Sequence, residues 1–151
     1  VVLDPPTLAE LDTVRIGKIE LVLVCDKPDV KISEAQKRGY VFVDWGTAFN
    51  LKHAKLFKSP VAPILHTEQS QIALEFLITY GGMAFLPRAL IASYLEDKSL
   101  HLVSGSQPAS RNVYAVISKS ASRKSVVPPI INKLGELELR PQANLQPTES
   151  T

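Results

Sequence analysis

The chain has 151 residues, 45% of them hydrophobic and 21% charged, with 17 Lys+Arg against 15 Asp+Glu, the composition of one globular domain. A chain of this length buries roughly 68–70% of its unfolded surface and can form a core without disulfides or metals, so collagen-like, disulfide-rich and wholly disordered classes are excluded. The apolar run Leu21 to Cys25 falls far short of the ~20 residues that a membrane-spanning helix needs, and a formal charge of +2 names no partner.

Val1 to Leu3 reads as the end of a strand, cut off by Asp4-Pro5-Pro6, a turn signal that no helix interior tolerates. Because the chain opens inside this run and its sole methionine is Met83, it reads as a fragment or a processed product. Ile19 to Cys25 is a buried strand candidate bounded by Asp26-Lys27-Pro28. Its lone cysteine can form neither an internal disulfide nor a multi-thiolate metal site. A short helix, Ser33 to Arg38, is expected to stop at Gly39.

From there strands and helices alternate. Tyr40 to Val43 reads as a strand and Asp44-Trp45-Gly46 as a turn, with Thr47 capping a helix that carries Phe49, Leu56 and Phe57. Val61 to Leu65 is the next strand, and Thr67 is placed to cap a helix whose Ile72, Phe76, Leu77 and Tyr80 share one face, ended by Gly81-Gly82. Met83 to Leu86 forms a strand, Pro87 suits the first turn of a helix with Leu90, Ile91, Tyr94 and Leu95 along one side, and Leu100 to Val103 forms a short strand. A polar loop, Ser104 to Ser110, leads to the strand Val113 to Ile117 and to a helix from Val126 to Leu139 whose Pro128 and Pro129 fit only its first turn. The tail 140–151 has no periodicity and reads as disordered. The alternation predicts an α/β fold with a mainly parallel sheet.

The stretch from Thr67 to Pro87, TEQSQIALEFLITYGGMAFLP, followed by a helix and by HLV, resembles the effector-binding domain of LysR-type transcriptional regulators. So does YVFVDWGTAF, Tyr40 to Phe49, which is similar to the first strand and ligand-facing turn of that domain's second subdomain. The resemblance implies a type II periplasmic-binding-protein-like fold, truncated at its amino-terminal side, with an incomplete first subdomain and a complete second one. Residues 1–38 and 111–139 would belong to the first and 39–110 to the second. It also implies a small effector bound between the subdomains, self-association as a dimer or tetramer in the full-length protein, DNA contact only through an absent helix-turn-helix domain, a cytoplasmic location and no membrane partner.

The strongest physical case for a site lies at the helix starts near Thr47 and Thr67, since ligands of such sheets bind beyond the carboxyl ends of the strands and free N–H groups receive anions there. Gly46 would admit a ligand close to the backbone, while Trp45 and Phe49 would supply apolar walls. Both threonines are equally readable as ordinary caps that bind nothing. Asp4, at the end of a strand of the other subdomain in the family arrangement, would face the same cleft or simply form a turn. A carboxylate there favours cations whereas helix starts favour anions, so the sign of the ligand's charge stays open.

His53, His66 and His101 are too scattered for a metal motif, His53 reads as a packing residue, and Glu68 is explained by the dipole of the helix it opens. No nucleophile elbow, phosphate loop or acid–base pair emerges, so neither an enzyme nor a cofactor is expected. Six basic residues between Lys98 and Gly135, with no acidic one, read as a solvated basic surface. The rival readings are the solute-binding component of a transporter, which shares the two-subdomain plan, and a small α/β enzyme using the same cleft.

Overall fold

A strand of fifteen residues, β1 (Leu11–Cys25), organises the molecule, a computed structural model that describes residues 1–124 and 126–138. The elements that follow are α1 (Ala35–Arg38), led in by a 3-10 turn at Ile32–Glu34, then β2 (Tyr40–Val43), α2 (Thr47–His53), β3 (Pro63–Thr67), α3 (Ser70–Tyr80) and β4 (Met83–Pro87). After them come α4 (Ala92–Glu96), β5 (His101–Leu102), β6 (Ala109–Ser118), α5 (Lys119–Ser122) and α6 (Val127–Glu138).

All six strands share one sheet, in the order β3-β2-β4-β1-β5, with β6 also paired to β1. One edge of β1 pairs antiparallel with β4, from Leu21 opposite Pro87 to Cys25 opposite Met83. Its other edge forks. Val24 and Cys25 pair with β5, whereas Leu11 to Leu21 pair with β6, through a bulge between Arg15 and Gly17. Strand β2 runs parallel to both β3 and β4. The expectation of a mainly parallel sheet is therefore corrected: the strand that begins the sheet enters it against the direction of its neighbours, which makes the sheet mixed.

The core follows the pattern of a strand covered on both faces. Every residue from Leu21 to Cys25 is buried, as are Tyr40, Val41, Val43 and Met83 to Leu86. Helix α3 presents Ala73, Leu74 and Leu77 to them. Ile72 and Tyr80, expected on that face, are exposed instead, because the apolar residues of α3 wrap too far round the helix for one face to hold them all. Gly81, with φ +79° and ψ −177°, takes a backbone conformation essentially confined to glycine and ends α3.

Other boundaries differ for local reasons. Val1 to Leu3 contributes only a single bridge, Val2 to Tyr114. Helix α2 ends at His53, so Leu56 and Phe57 pack against the core from beyond it. Pro87 closes β4, and Leu90 and Ile91 turn back on its carbonyl before α4 begins. The strands β1 and β6 are longer than expected since their outer halves are only partly covered and read as polar. Leu139 and the expected disordered tail lie outside the described residues.

Candidate functional site

Three separate stretches of chain meet at the start of α2. The turn after β2 is built by Asp44, whose carboxylate accepts the Gly46 N–H (2.8 Å) and the Asn50 side-chain amide (3.0 Å). Gly46 occupies the cap position with φ +85°, in the left-handed region that costs an L residue with a side chain ~1–3 kcal/mol. Thr47, expected as the cap, is instead the first helical residue, and its free N–H is satisfied from outside the helix. Asp4 does this, its Oδ2 accepting the Thr47 N–H at 2.7 Å.

Arg111, on β6, completes the junction. Its Nη2 donates to the other oxygen of Asp4 and, at 3.2 Å, to the Leu3 carbonyl. A Cβ on Gly46 would collide with Asp4 Oδ2 and crowd Arg111 Nη2, so the absence of a side chain at Gly46 is what lets the pair approach the backbone. The Arg111 side chain is only 10% exposed against 45% for Asp4, and its Nε is buried with no hydrogen-bond partner among the described residues. Burial pushes the Asp4 carboxyl upward, but the Thr47 N–H and the guanidinium outweigh it and hold the group below its ordinary value.

Against this junction lies an open groove of about 440 Å³, lined by Asp4, Lys18, Ser110, Arg111, Asn112 and Tyr114 among others. Lys18 stands opposite Asn112 in the β1–β6 register. Ser110, Asn112 and Tyr114 follow the two-residue period of β6 and share one side of it.

The structure thus brings together three of the six residues singled out from sequence, Asp4, Gly46 and Thr47. Trp45 and Phe49 are buried behind them, at 8% and 2% exposure, with the Trp45 indole donating to the Phe85 carbonyl at 3.0 Å. Thr67 ends β3 and does not cap α3. Gln69 holds that position, Thr67 Oγ1 accepts the Gln69 N–H at 3.0 Å, and the Thr67 carbonyl accepts the Asp44 N–H at 2.9 Å, which ties it to the same turn. Glu68 consequently precedes the helix and does not sit in its first turn.

Sequence reasoning missed the role of Arg111, which had been grouped with the solvated basic residues, and it missed Lys18. No local pattern announces a partner 107 positions away. Arg111 stands in the polar run Ser110-Arg111-Asn112 that opens β6, so its type and neighbours carried no signal.

The remaining candidates serve packing. His53 Nε2 lies 2.7 Å from the Tyr40 hydroxyl, its ring stacks on Tyr40 and it meets Phe42 edge-on. Burial lowers the His53 pKa and raises that of Tyr40 far above the ordinary phenol value. Cys25 is fully buried, and desolvation raises its thiol, opposite to what a nucleophile needs. Among the described residues no three His, Cys, Asp or Glu side chains gather as a metal site, and no helix is long and apolar enough to cross a membrane.

No model of a known protein family matches the chain. Among curated proteins it is 26% identical over 133 residues to the HTH-type transcriptional regulator HdfR of Yersinia enterocolitica, covering 82% of this chain and 44% of the relative. The chain therefore spans less than half the length of the curated relatives it matches. Among solved structures it resembles the bromide-bound regulatory domain of HypT from Salmonella typhimurium, with a TM-score of 0.66 at 16% identity over 87% of this chain and 66% of that one. It also resembles the regulatory domain of MetR, a LysR family regulator from Neisseria meningitidis, with a TM-score of 0.62 at 20% identity over 96% and 76% of the two chains. These are periplasmic-binding-protein-like α/β folds, and the present chain shares that architecture.

Proposed function

We infer that the chain, a relative of the LysR-type transcriptional regulators with the fold of their regulatory domain, senses a small effector and self-associates so as to modulate DNA binding by a helix-turn-helix domain. The observation that carries this reading is the convergence of Asp4, Gly46, Thr47 and Arg111 beside an open groove. Such a place, beyond the end of a parallel strand and between stretches distant in sequence, is where ligands of open α/β sheets are held.

The division of labour proposed is that 39–110 forms one unit and that 1–38 and 111–139 belong to the other. The strands β1 and β6 connect them, and the effector lies between them. Asp4, Gly46 and Thr47 contact it, Trp45 and Phe49 back the turn, and Thr67 flanks it from β3. A cytoplasmic location and a dimeric or tetrameric full-length protein belong to the same proposal. Effector binding acts by favouring one arrangement of the two units over another.

Relatives named as transcriptional regulators favour this reading over a transporter's solute receptor. They also favour a non-enzymatic role, and the buried thiol and packed histidine offer no reacting group. A small-molecule library screened against the chain by thermal shift, with each stabilising compound mapped by amide chemical shifts, tests it. Compounds that move Gly46, Thr47 and Arg111 are expected, and compounds that all map elsewhere overturn the site.

A further inference from the structure

We propose that His53 is an acid-sensitive latch: with its imidazole neutral it seats the carboxyl-terminal turn of α2 on the sheet, and on protonation it leaves, freeing that turn and the segment to Phe57 while the sheet stays folded. The latch is independent of which ligand the cleft takes. Its first support is the make-up of the seat. Tyr40 stacks on the imidazole with centroids 5.3 Å apart, Phe42 and Phe57 meet it edge-on at 4.9 and 5.3 Å, Phe49 lies tilted at 5.6 Å and Phe85 edge-on at 6.4 Å. These rings come from β2, the segment after α2, α2 itself and β4, so the imidazole is where four parts of the chain meet. Burial among them lowers the His53 pKa, because the charged form loses more hydration than the neutral one.

The second support is the single polar contact in the seat. His53 Nε2 and the Tyr40 hydroxyl lie 2.7 Å apart, and neither side chain makes another hydrogen bond among the described residues. Tyr40 is 1% exposed, so its hydroxyl hydrogen is satisfied by donating to a neutral Nε2. In the imidazolium both ring nitrogens donate. The hydroxyl is then confined to accepting, and its own hydrogen is left unpaired in an apolar place, a penalty that falls on the protonated form alone.

The third support is the charge around the seat. The titratable groups of the elements packed there are Tyr40 on β2, His66 on β3 across the Phe42 ring, Lys52 on α2, and Lys55 and Lys58 in the segment that follows, while β4 contributes only uncharged residues. Asp44, before α2, is engaged by the Gly46 N–H and the Asn50 amide, and Glu68 lies beyond the end of β3. No carboxylate stands within ion-pair distance of His53 among the described residues, so nothing there compensates an imidazolium. The helix is also thinly held. Of its seven residues only Phe49 is buried, and Thr47 opens the same two turns, so release at His53 reaches the junction with Asp4.

Imidazole and amide resonances of the isotopically labelled chain, with amide exchange corrected for its intrinsic pH dependence, test the latch between about pH 7.5 and about pH 5, above the ordinary carboxylate range. The closed form takes up its proton at lower pH than the open one. Opening is therefore constant above about pH 6.5 and rises by up to about tenfold per pH unit below it. Protection at Leu51 to Phe57 is expected to fall on that slope and the Thr47 amide to move with it, while Val22, Val24 and Ala84 keep their protection. His53→Gln, which can still bond the Tyr40 hydroxyl but takes up no proton, is expected to abolish the slope, and His66→Gln to leave it in place. Protonation of His53 without loss of protection in α2, a slope that survives His53→Gln, or loss of protection at Val22 and Val24 in step with α2 overturns the latch. A Thr47 amide that stays fixed while the far turn opens contradicts transmission to the junction.

Discussion

Between Leu21 and Cys25 strand β1 is buried on both faces and makes its contacts with apolar neighbours on β4 and the helices. From Thr13 to Arg15 the same strand is exposed, and around Lys18 it borders a groove lined by polar side chains. One continuous strand therefore joins a dry region, where stability comes from packing, to a polar region held by a few directed hydrogen bonds. Apolar burial adds up over many contacts and resists change, whereas a part-exposed ion pair is worth little and is easily exchanged. Sensing a ligand calls for the second kind of bond, anchored on a frame made of the first.

The sharpest separation of the two regions comes from substitution. Phe85→Ala removes a ring that is 1% exposed and meets Phe49 edge-on at 5.3 Å, and is expected to cost about 3–5 kcal/mol in urea unfolding. Gly46→Ala meets both a positive φ and the Asp4–Arg111 pair. It is expected to cost about 1–3 kcal/mol and, unlike Phe85→Ala, to displace the Thr47 amide resonance specifically.

The pH dependence separates the regions again. Burial depresses the His53 pKa, so the unfolded chain binds a proton more readily than the folded one. Stability is then expected to fall as the pH drops below the ordinary imidazole value of about 6.5, and His53→Gln should flatten that limb of the profile, measured by thermal unfolding. Asp4 is the reverse type of group, a carboxyl held below its ordinary value. Its contribution is present above the unfolded-state pKa and disappears as the pH falls through the folded one. Because Asp4 is part-exposed, Asp4→Asn is expected to change neutral-pH stability by less than about 1 kcal/mol, the smallest effect of the four, while changing the Thr47 amide. A large loss of stability in Asp4→Asn would erase the distinction between frame and junction.

The region that sequence reading describes best is the apolar one. Tyr40 to Val43 and Met83 to Leu86 were legible because short apolar runs between glycines and turn residues leave few alternatives, and Gly39 and Gly81 mark helix ends through their backbone freedom. The outer halves of β1 and β6 were not legible, since β1 is only partly covered there and the bulge at Gly17 breaks its two-residue alternation. At the site, the turn Trp45-Gly46-Thr47 and Asp4 were identifiable by type and position. Their partner Arg111 was not, because the pairing is made by tertiary approach alone. The shift of both caps by one or two residues has a local cause: Gly46 and Gln69 adopt the entry conformation, while Asp4 reaches the Thr47 N–H from the far end of the chain.

Amide hydrogen exchange measured residue by residue on the unaltered chain and on Asp4→Ala tests most directly whether an exchangeable polar junction is built on an independent apolar frame. Protection of the Thr47 amide is expected to fall in Asp4→Ala, which removes the acceptor, while the amides of Val22 and Val24 keep theirs. Thr47 protection that persists without the Asp4 carboxylate, or protection of β1 that falls in step with it, would contradict the account.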